Sequence, residues 1–217
     1  VPSDDRGARA YFERIPNEWD ALYSHENRLR YFSNRLLRKG LFDRHELTFK
    51  KCGNIAGAKV LDLGCGSGRY SIEFARRGAA MVIGVDFAPS MVDFARSMAR
   101  ELGLEDRCSF ICADVQDLNL SEQFDITAAL GLFDYVPDPG PLFKTIAHHT
   151  SGVFVGSFPK SSLVWGLQRR IRYNWIKNCP IYYYTESQLY EYLTEARFPG
   201  TQIIRMRSGF FVAARKA

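Results

Sequence analysis

Between Val60 and Gly68 the chain reads VLDLGCGSG, an apolar strand-like run that meets the acidic Asp62 and then three glycines two residues apart. Gly64, Cys65, Gly66 and Gly68 predict a loop in which the backbone turns sharply and a ligand can lie against the main chain. A helix predicted from Tyr70 to Arg77 follows, with its amino-terminal N–H groups facing that ligand. The spacing narrows the ligand class. A dinucleotide fingerprint needs its third glycine three residues after the second, where this chain has Arg69. A carboxylate just before the first glycine repels a pyrophosphate but accepts hydrogen bonds from an ammonium group. A nucleotide-type cofactor with an amino-acid end therefore fits better than NAD.

Three further positions follow at the ends of predicted strands. Asp86, in VIGVDFAPSM, can accept two vicinal ribose hydroxyls, and its neighbours Phe87 and Met91 can sandwich an adenine. Asp114, in CADV, can take the exocyclic amine of that ring while the Val115 N–H meets a ring nitrogen. Leu130 and Gly131 close the fourth strand beneath the amino-acid end of the ligand. Any one of these carboxylates can instead be a helix N-cap; the ordered set is what points to a cofactor.

That set, together with FICADVQDL and FDITAALGLFDYVPDP, resembles the class I S-adenosylmethionine (SAM) dependent methyltransferases, over roughly Ala58 to the last residue. The resemblance implies SAM as cofactor and S-adenosylhomocysteine (SAH) as product, with the methionyl amino group on Asp62, directly or through water. The NPPY or DPPY run associated with amide-nitrogen methylation of bases is missing, as is a Pro-Cys nucleophile after the fourth strand, which reads LGLFDYVPD. Near the start, YFERIPNEWDALY is similar to the lid of magnesium-protoporphyrin O-methyltransferases and related quinone-biosynthesis enzymes, with Tyr11, Phe12, Trp19 and Tyr23 matching the pattern. By that resemblance Tyr23 takes the place of a tyrosine implicated in catalysis. Where the porphyrin family has a histidine after the fourth strand, this chain has Asp134, a third catalytic candidate beside Tyr23 and His25.

These residues need a scaffold, and the hydrophobic pattern supplies one. Five near-continuous apolar runs, Lys59–Leu63, Met81–Asp86, Ser109–Ala113, Ile126–Gly131 and Val153–Phe158, alternate with helical patterns. Strands of this kind belong to a parallel sheet covered on both faces. Two closely spaced strands, Gln202–Arg207 and Gly209–Arg215, are joined too tightly for a crossover and must pair antiparallel. The expected fold is α/β: a doubly wound, Rossmann-like sheet, mostly parallel, with seven strands and an antiparallel C-terminal strand, plus an N-terminal helical lid. The lid takes residues 1–57 as part of the same domain, and the methyltransferase domain proper takes 58–217, with a cap inserted at about 160–184. Thr185, three residues before Gln188, predicts a capping box at the helix that follows the cap, with Leu189, Tyr192 and Leu193 on one face.

Composition bounds the function. The 217 residues are 46% hydrophobic and 24% charged, which suits one soluble domain with a substantial core. No apolar run approaches the roughly 20 residues that cross a bilayer, so integral membrane association is not expected. Five scattered cysteines form no disulfide framework or CxxC pair, which predicts a reducing, cytoplasmic setting and no metal site. Of the net charge of +5, residues 58–159 carry −5, from 8 basic and 13 acidic groups, and the flanks carry +10. The cap segment mixes Lys160, Arg169, Arg170, Arg172 and Lys177 with Trp165, Tyr173, Trp175 and Tyr182–Tyr184. Such a mixture can hold a flat anionic molecule, stack on nucleic acid, or meet a membrane surface.

The expected function is methyl transfer to a small-molecule acceptor, aromatic or anionic, at oxygen. Nucleic acid is the less favoured partner. An RNA or nucleoside methyltransferase and a non-catalytic SAM-binding scaffold are the alternatives, and the oligomeric state is not readable.

Overall fold

The computed structural model describes residues 39–160, 181–207 and 209–216. In chain order the elements are α1 (Lys39–Cys52), β1 (Lys59–Leu63), α2 (Arg69–Arg76), β2 (Met81–Asp86), α3 (Pro89–Glu101), β3 (Cys108–Cys112) and β4 (Phe124–Leu130). There follow a short 3-10 turn (Phe133–Tyr135), α4 (Gly140–His149), β5 (Thr150–Pro159), α5 (Glu186–Glu195), β6 (Gly200–Arg205) and β7 (Gly209–Arg215).

The strands form one seven-stranded sheet in the order β3-β2-β1-β4-β5-β7-β6. The first five run parallel, and β7 lies antiparallel between β5 and β6. From β1 the chain winds outward through β2 to β3, then returns to the other side of β1 as β4. The reversal opens a crevice beyond the carboxyl ends of β1 and β4, where open α/β sheets hold their ligands. The sequence-based strands recur with shifted ends. β3 and β4 begin before the positions expected, at Cys108 and Phe124, and the helix after the glycine loop starts one residue sooner, at Arg69. β5 starts at Thr150, whose polar side chain hid it from a hydrophobicity reading. Its hydroxyl sits 2.8 Å from Thr127 Oγ1 and 2.6 Å from the Ile146 carbonyl oxygen, and is buried.

Alternate strand residues face two cores. On one face α1, α2 and α3 bring Phe49, Phe74, Val92 and Ala95 onto Val60, Val82, Ile126 and Val155. On the other, α4 and α5 bring Phe143, Ile146, Leu189 and Leu193 onto Leu61, Leu63, Phe154 and Val212. The helix α1 is more than a cover at the periphery: Thr48, Phe49 and Cys52 are all buried, and the Phe49 ring meets Phe74 edge-on at 5.0 Å. At the start of α5, Thr185 Oγ1 accepts from the Gln188 N–H at 3.3 Å while Gln188 Oε1 accepts from the Thr185 N–H at 2.9 Å, which closes the capping box.

One ring sets the distance between the glycine loop and the sheet. Phe110 on β3 lies over Gly84 on β2 and under Gly68 of the loop. A Cβ at Gly84 would stand 2.7 Å from Phe110 Cδ1 and 3.0 Å from Cys65 Sγ, and one at Gly68 would stand 3.0 Å from the same ring. Gly84→Ala is therefore expected to destabilise the fold by about 1–3 kcal/mol through overpacking. Combining it with Phe110→Leu should recover part of that loss, as a double-mutant cycle by urea denaturation would measure.

Candidate active site

The loop between β1 and α2 is held by the end of β2. The N–H groups of Gly64 and Cys65 both reach the Val85 carbonyl, at 2.8 and 3.0 Å, and the Gly66 N–H donates to Asp86 Oδ2 at 2.8 Å. Gly64, Gly66 and Gly68 all take left-handed backbone angles. Of the three, only Gly66 opens on empty space, since a Cβ there would have no atom within 4 Å. The loop is thus packed against protein at its two ends and open at its middle.

Two carboxylates lie beneath it. Asp62, 1% exposed, accepts the Ser71 hydroxyl at 2.6 Å. Burial pushes its pKa up to about 7, against the Ser71 hydrogen bonds and with a smaller push from Asp86. Asp86, 8% exposed, accepts the Gly66 N–H on one oxygen and the Ala88 N–H, at 3.0 Å, on the other. Burial raises its pKa too, opposed by the backbone N–H groups of Ala88, Gly66 and Phe87. A carboxylate has about four acceptor positions, so these backbone donors do not exhaust the acceptor capacity of Asp86.

The remaining predicted cofactor residues follow the carboxyl edge. Phe87 is half-buried and Met91 buried at the start of α3. Asp114 is half-buried after β3, where its Oδ1 accepts the Gln116 N–H at 2.9 Å, and Val115 is buried beside it. Its carboxylate therefore shapes its own turn as well as facing the edge. Cys65 is buried between the loop and β2, and its thiol is pushed far up by burial and by Asp62 and Asp86, so it is not poised as a nucleophile. Asp134 is buried in the turn after β4. Tyr23, His25 and the arginines Arg169 and Arg170 of the cap lie outside the described residues.

The structure adds residues that no motif marked. Arg44 on α1 donates from Nε to the Tyr70 hydroxyl at 3.2 Å and from Nη1 to Ser157 Oγ at 3.4 Å. Ser157, near the end of β5, also accepts the Gly131 N–H at 2.9 Å. A guanidinium thereby sits at the left-handed turn of Gly131, close enough that a Cβ on that glycine would be 3.2 Å from Nη1. Arg44 stands in FDRHEL, which carries no periodic or motif signal; three elements distant in sequence bring it there. By contrast His149 is buried at the opposite, amino edge, with its ring nitrogens 3.3 and 3.5 Å from the carbonyl oxygens of Glu122 and Leu118. Among the described residues no three of His, Cys, Asp and Glu converge on a metal position, and no helix is long and apolar enough to cross a membrane.

The buried Asp62 gives a signed pH dependence. Its folded pKa of about 7 lies above the ordinary value of 3.8, so the folded state holds the extra proton between those values. Stability from this group is therefore lost as pH rises through that window. Asp62→Asn, neutral throughout, should match wild type near pH 4 and exceed it by on the order of 2 kcal/mol at pH 8. Parallel thermal melts across that range check it; curves that stay superimposed at pH 8 would contradict the assignment.

The site can be set beside known proteins. A family model described as a methyltransferase domain matches residues 60–151. The ubiquinone biosynthesis O-methyltransferase of Neisseria meningitidis serogroup C (strain 053442) is 32% identical over 146 residues, which are 66% of this chain and 57% of that protein. The enzyme of the same description from Stutzerimonas stutzeri (strain A1501) is 37% identical over 94 residues, 43% of this chain and 40% of its own length. The matches thus span well under two thirds of either relative's own length. Magnesium protoporphyrin IX methyltransferase from Synechocystis PCC 6803, solved with bound SAH, superposes with a TM-score of 0.76 over 99% of this chain and 100% of its own, at 21% identity. Geranyl diphosphate C-methyltransferase from Streptomyces coelicolor A3(2) superposes with a TM-score of 0.76 over 100% of this chain and 98% of its own, at 16% identity; likeness this remote speaks for the fold alone. The glycine loop and the carboxylates after β2 and β3 all lie within residues 60–151, the part of the chain that matches the methyltransferase-domain family model.

Proposed function

We propose that the protein binds SAM and methylates a small aromatic or anionic metabolite at oxygen. The observation that carries this reading is the open middle of the glycine loop at Gly66, set directly beside Asp86, whose carboxylate keeps acceptor capacity. That combination accepts a ribose: backbone without side chains on one side, a carboxylate for two hydroxyls on the other. The names of the relatives, O-methyltransferases of ubiquinone biosynthesis, favour an oxygen acceptor on a small aromatic molecule.

The residues take distinct tasks. Asp86 holds the ribose, Phe87 and Met91 flank the adenine, and Asp114 with the Val115 N–H meets the ring edge. Asp62 accepts the methionyl ammonium, whose positive charge favours the ionised carboxylate that burial opposes. Arg44, beside Gly131 and Leu130, offers its guanidinium to the methionyl carboxylate. Bound SAM supplies a methyl group already activated on a sulfonium. The protein's own contribution to rate is then alignment of the acceptor in line with that group and exclusion of water. Tyr23 and Asp134 are assigned to orienting the acceptor, and His25 to taking its proton where the acceptor arrives protonated.

Calorimetry with SAM on wild type and Asp86→Ala tests the cofactor half. Loss of the hydroxyl-accepting carboxylate should weaken binding by about 1.5–3 kcal/mol, the range of charged hydrogen bonds. Equal affinities, or binding of NADH in place of SAM, would remove the reading. The acceptor half is tested by Tyr23→Phe in a labelled-SAM assay on small phenols. Turnover should drop by tenfold or more on the scale of about 1.4 kcal/mol, with SAM affinity unchanged; wild-type turnover would take the polar role from Tyr23.

A further inference from the structure

An arginine side chain turns about several bonds, and a guanidinium that must be ordered at the moment of binding loses part of its interaction to that entropy. Arg44 crosses from α1 to the Gly131 turn as such a side chain. Two oxygens restrain it. The Tyr70 hydroxyl, in the first turn of α2, accepts from Nε at 3.2 Å, and Ser157 Oγ, near the end of β5, accepts from Nη1 at 3.4 Å. The guanidinium is planar, so bonds at two of its nitrogens fix the orientation of the whole group.

Both oxygens are themselves held. The Tyr70 ring stacks on the buried Phe49 with centroids 6.2 Å apart. Ser157, 8% exposed, spends the same oxygen a second time on the Gly131 N–H at 2.9 Å. A serine oxygen has two lone pairs, and here one goes to the cation and the other to the backbone of the turn. One buried atom thus sets the spacing between the Arg44 guanidinium and Gly131.

Such a bridge can also serve to fasten α1. That helix is already fastened by the burial of Thr48, Phe49 and Cys52, and hydrogen bonds at the long end of the ordinary range add little to it. What two such bonds do well is select one rotamer of a flexible side chain. We infer that Ser157 and Tyr70 are positioning residues that hold the Arg44 guanidinium in one orientation beside Gly131, ready for the carboxylate of the methionyl end. The inference rests on the assignment of Arg44 to that carboxylate and adds to it the pair that orients the cation.

Calorimetry on the whole chain tests it by comparing SAH, which carries the carboxylate, with methylthioadenosine, which keeps the nucleoside and thioether but lacks it. Ser157→Ala and Tyr70→Phe should each weaken SAH binding by about three- to tenfold, the cost of ordering one freed side chain, and leave methylthioadenosine within about twofold. In an Arg44→Met background the same substitutions should change SAH affinity by less than about twofold, since no guanidinium is left to orient. A purely structural role would weaken both ligands together and in both backgrounds. Losses of that parallel kind, or unchanged SAH affinity in either single variant, would overturn the inference. Tyr70→Phe keeps its ring on Phe49 and leaves Gly131 its partner, so it reports even where Ser157→Ala unsettles the turn. Equal SAH affinity of Arg44→Met and wild type would remove the carboxylate assignment and this inference with it. Failure of SAH to bind wild type would instead remove the methyltransferase reading itself.

Discussion

Two desolvated carboxylates at the ends of adjacent parallel strands govern the organisation of this protein. Asp62 and Asp86 sit below the glycine loop, each taken out of water, and burial raises the pKa of both. Burying like charges so close is unfavourable unless donors surround them. The fold answers with the Ser71 hydroxyl on Asp62 and the backbone of Gly66 and Ala88 on Asp86. The loop is thereby fastened by the same groups that are proposed to meet the cofactor. A ligand that brings a cation to Asp62 and hydroxyls to Asp86 completes a solvation shell that the protein leaves partial, and this is why cofactor binding and loop order belong to one equilibrium.

The wider architecture serves that arrangement. Parallel register sets Val85 level with Leu63, the last residue of β1, and Asp86 one step beyond it, within reach of the loop's N–H groups. The Phe110 ring fills the volume that side chains at Gly68 and Gly84 would otherwise occupy, which sets the height of the loop above β2. On the far side of the crevice Arg44, Tyr70 and Ser157 tie α1, α2 and β5 to the Gly131 turn. The site is thus bounded by packing on one side and by a polar network on the other.

Much of this could be read from the sequence because the signals are local. A glycine loop, apolar strand runs and a Thr–Gln capping box each declare themselves within ten residues, and the tightly joined hairpin fixed the direction of β7. Strand ends were less legible: Thr150 and Phe124 pair across the sheet, but a polar first residue in β5 obscured its start. Arg44 was not legible at all, since its partners lie 26 and 113 residues away and the guanidinium gains meaning only from their convergence. The helix α1 was read as part of a lid within the same domain; which of its residues enter the core, Thr48, Phe49 and Cys52, depends on which sheet face it covers.

The insertion of β7 between β5 and β6 has a consequence for how the molecule is assembled. β5 carries Ser157, the floor of the Gly131 turn, and until β7 arrives its outer edge has no strand beside it. Seven residue pairs from Val153–Arg215 to Pro159–Gly209 close that edge, all of them made by residues synthesised after the rest of the sheet. During vectorial synthesis the cofactor crevice therefore exists in outline, with its glycine loop and both carboxylates, well before its β5 wall is braced. The last strand of the sheet to be made is thus the one that braces the β5 wall.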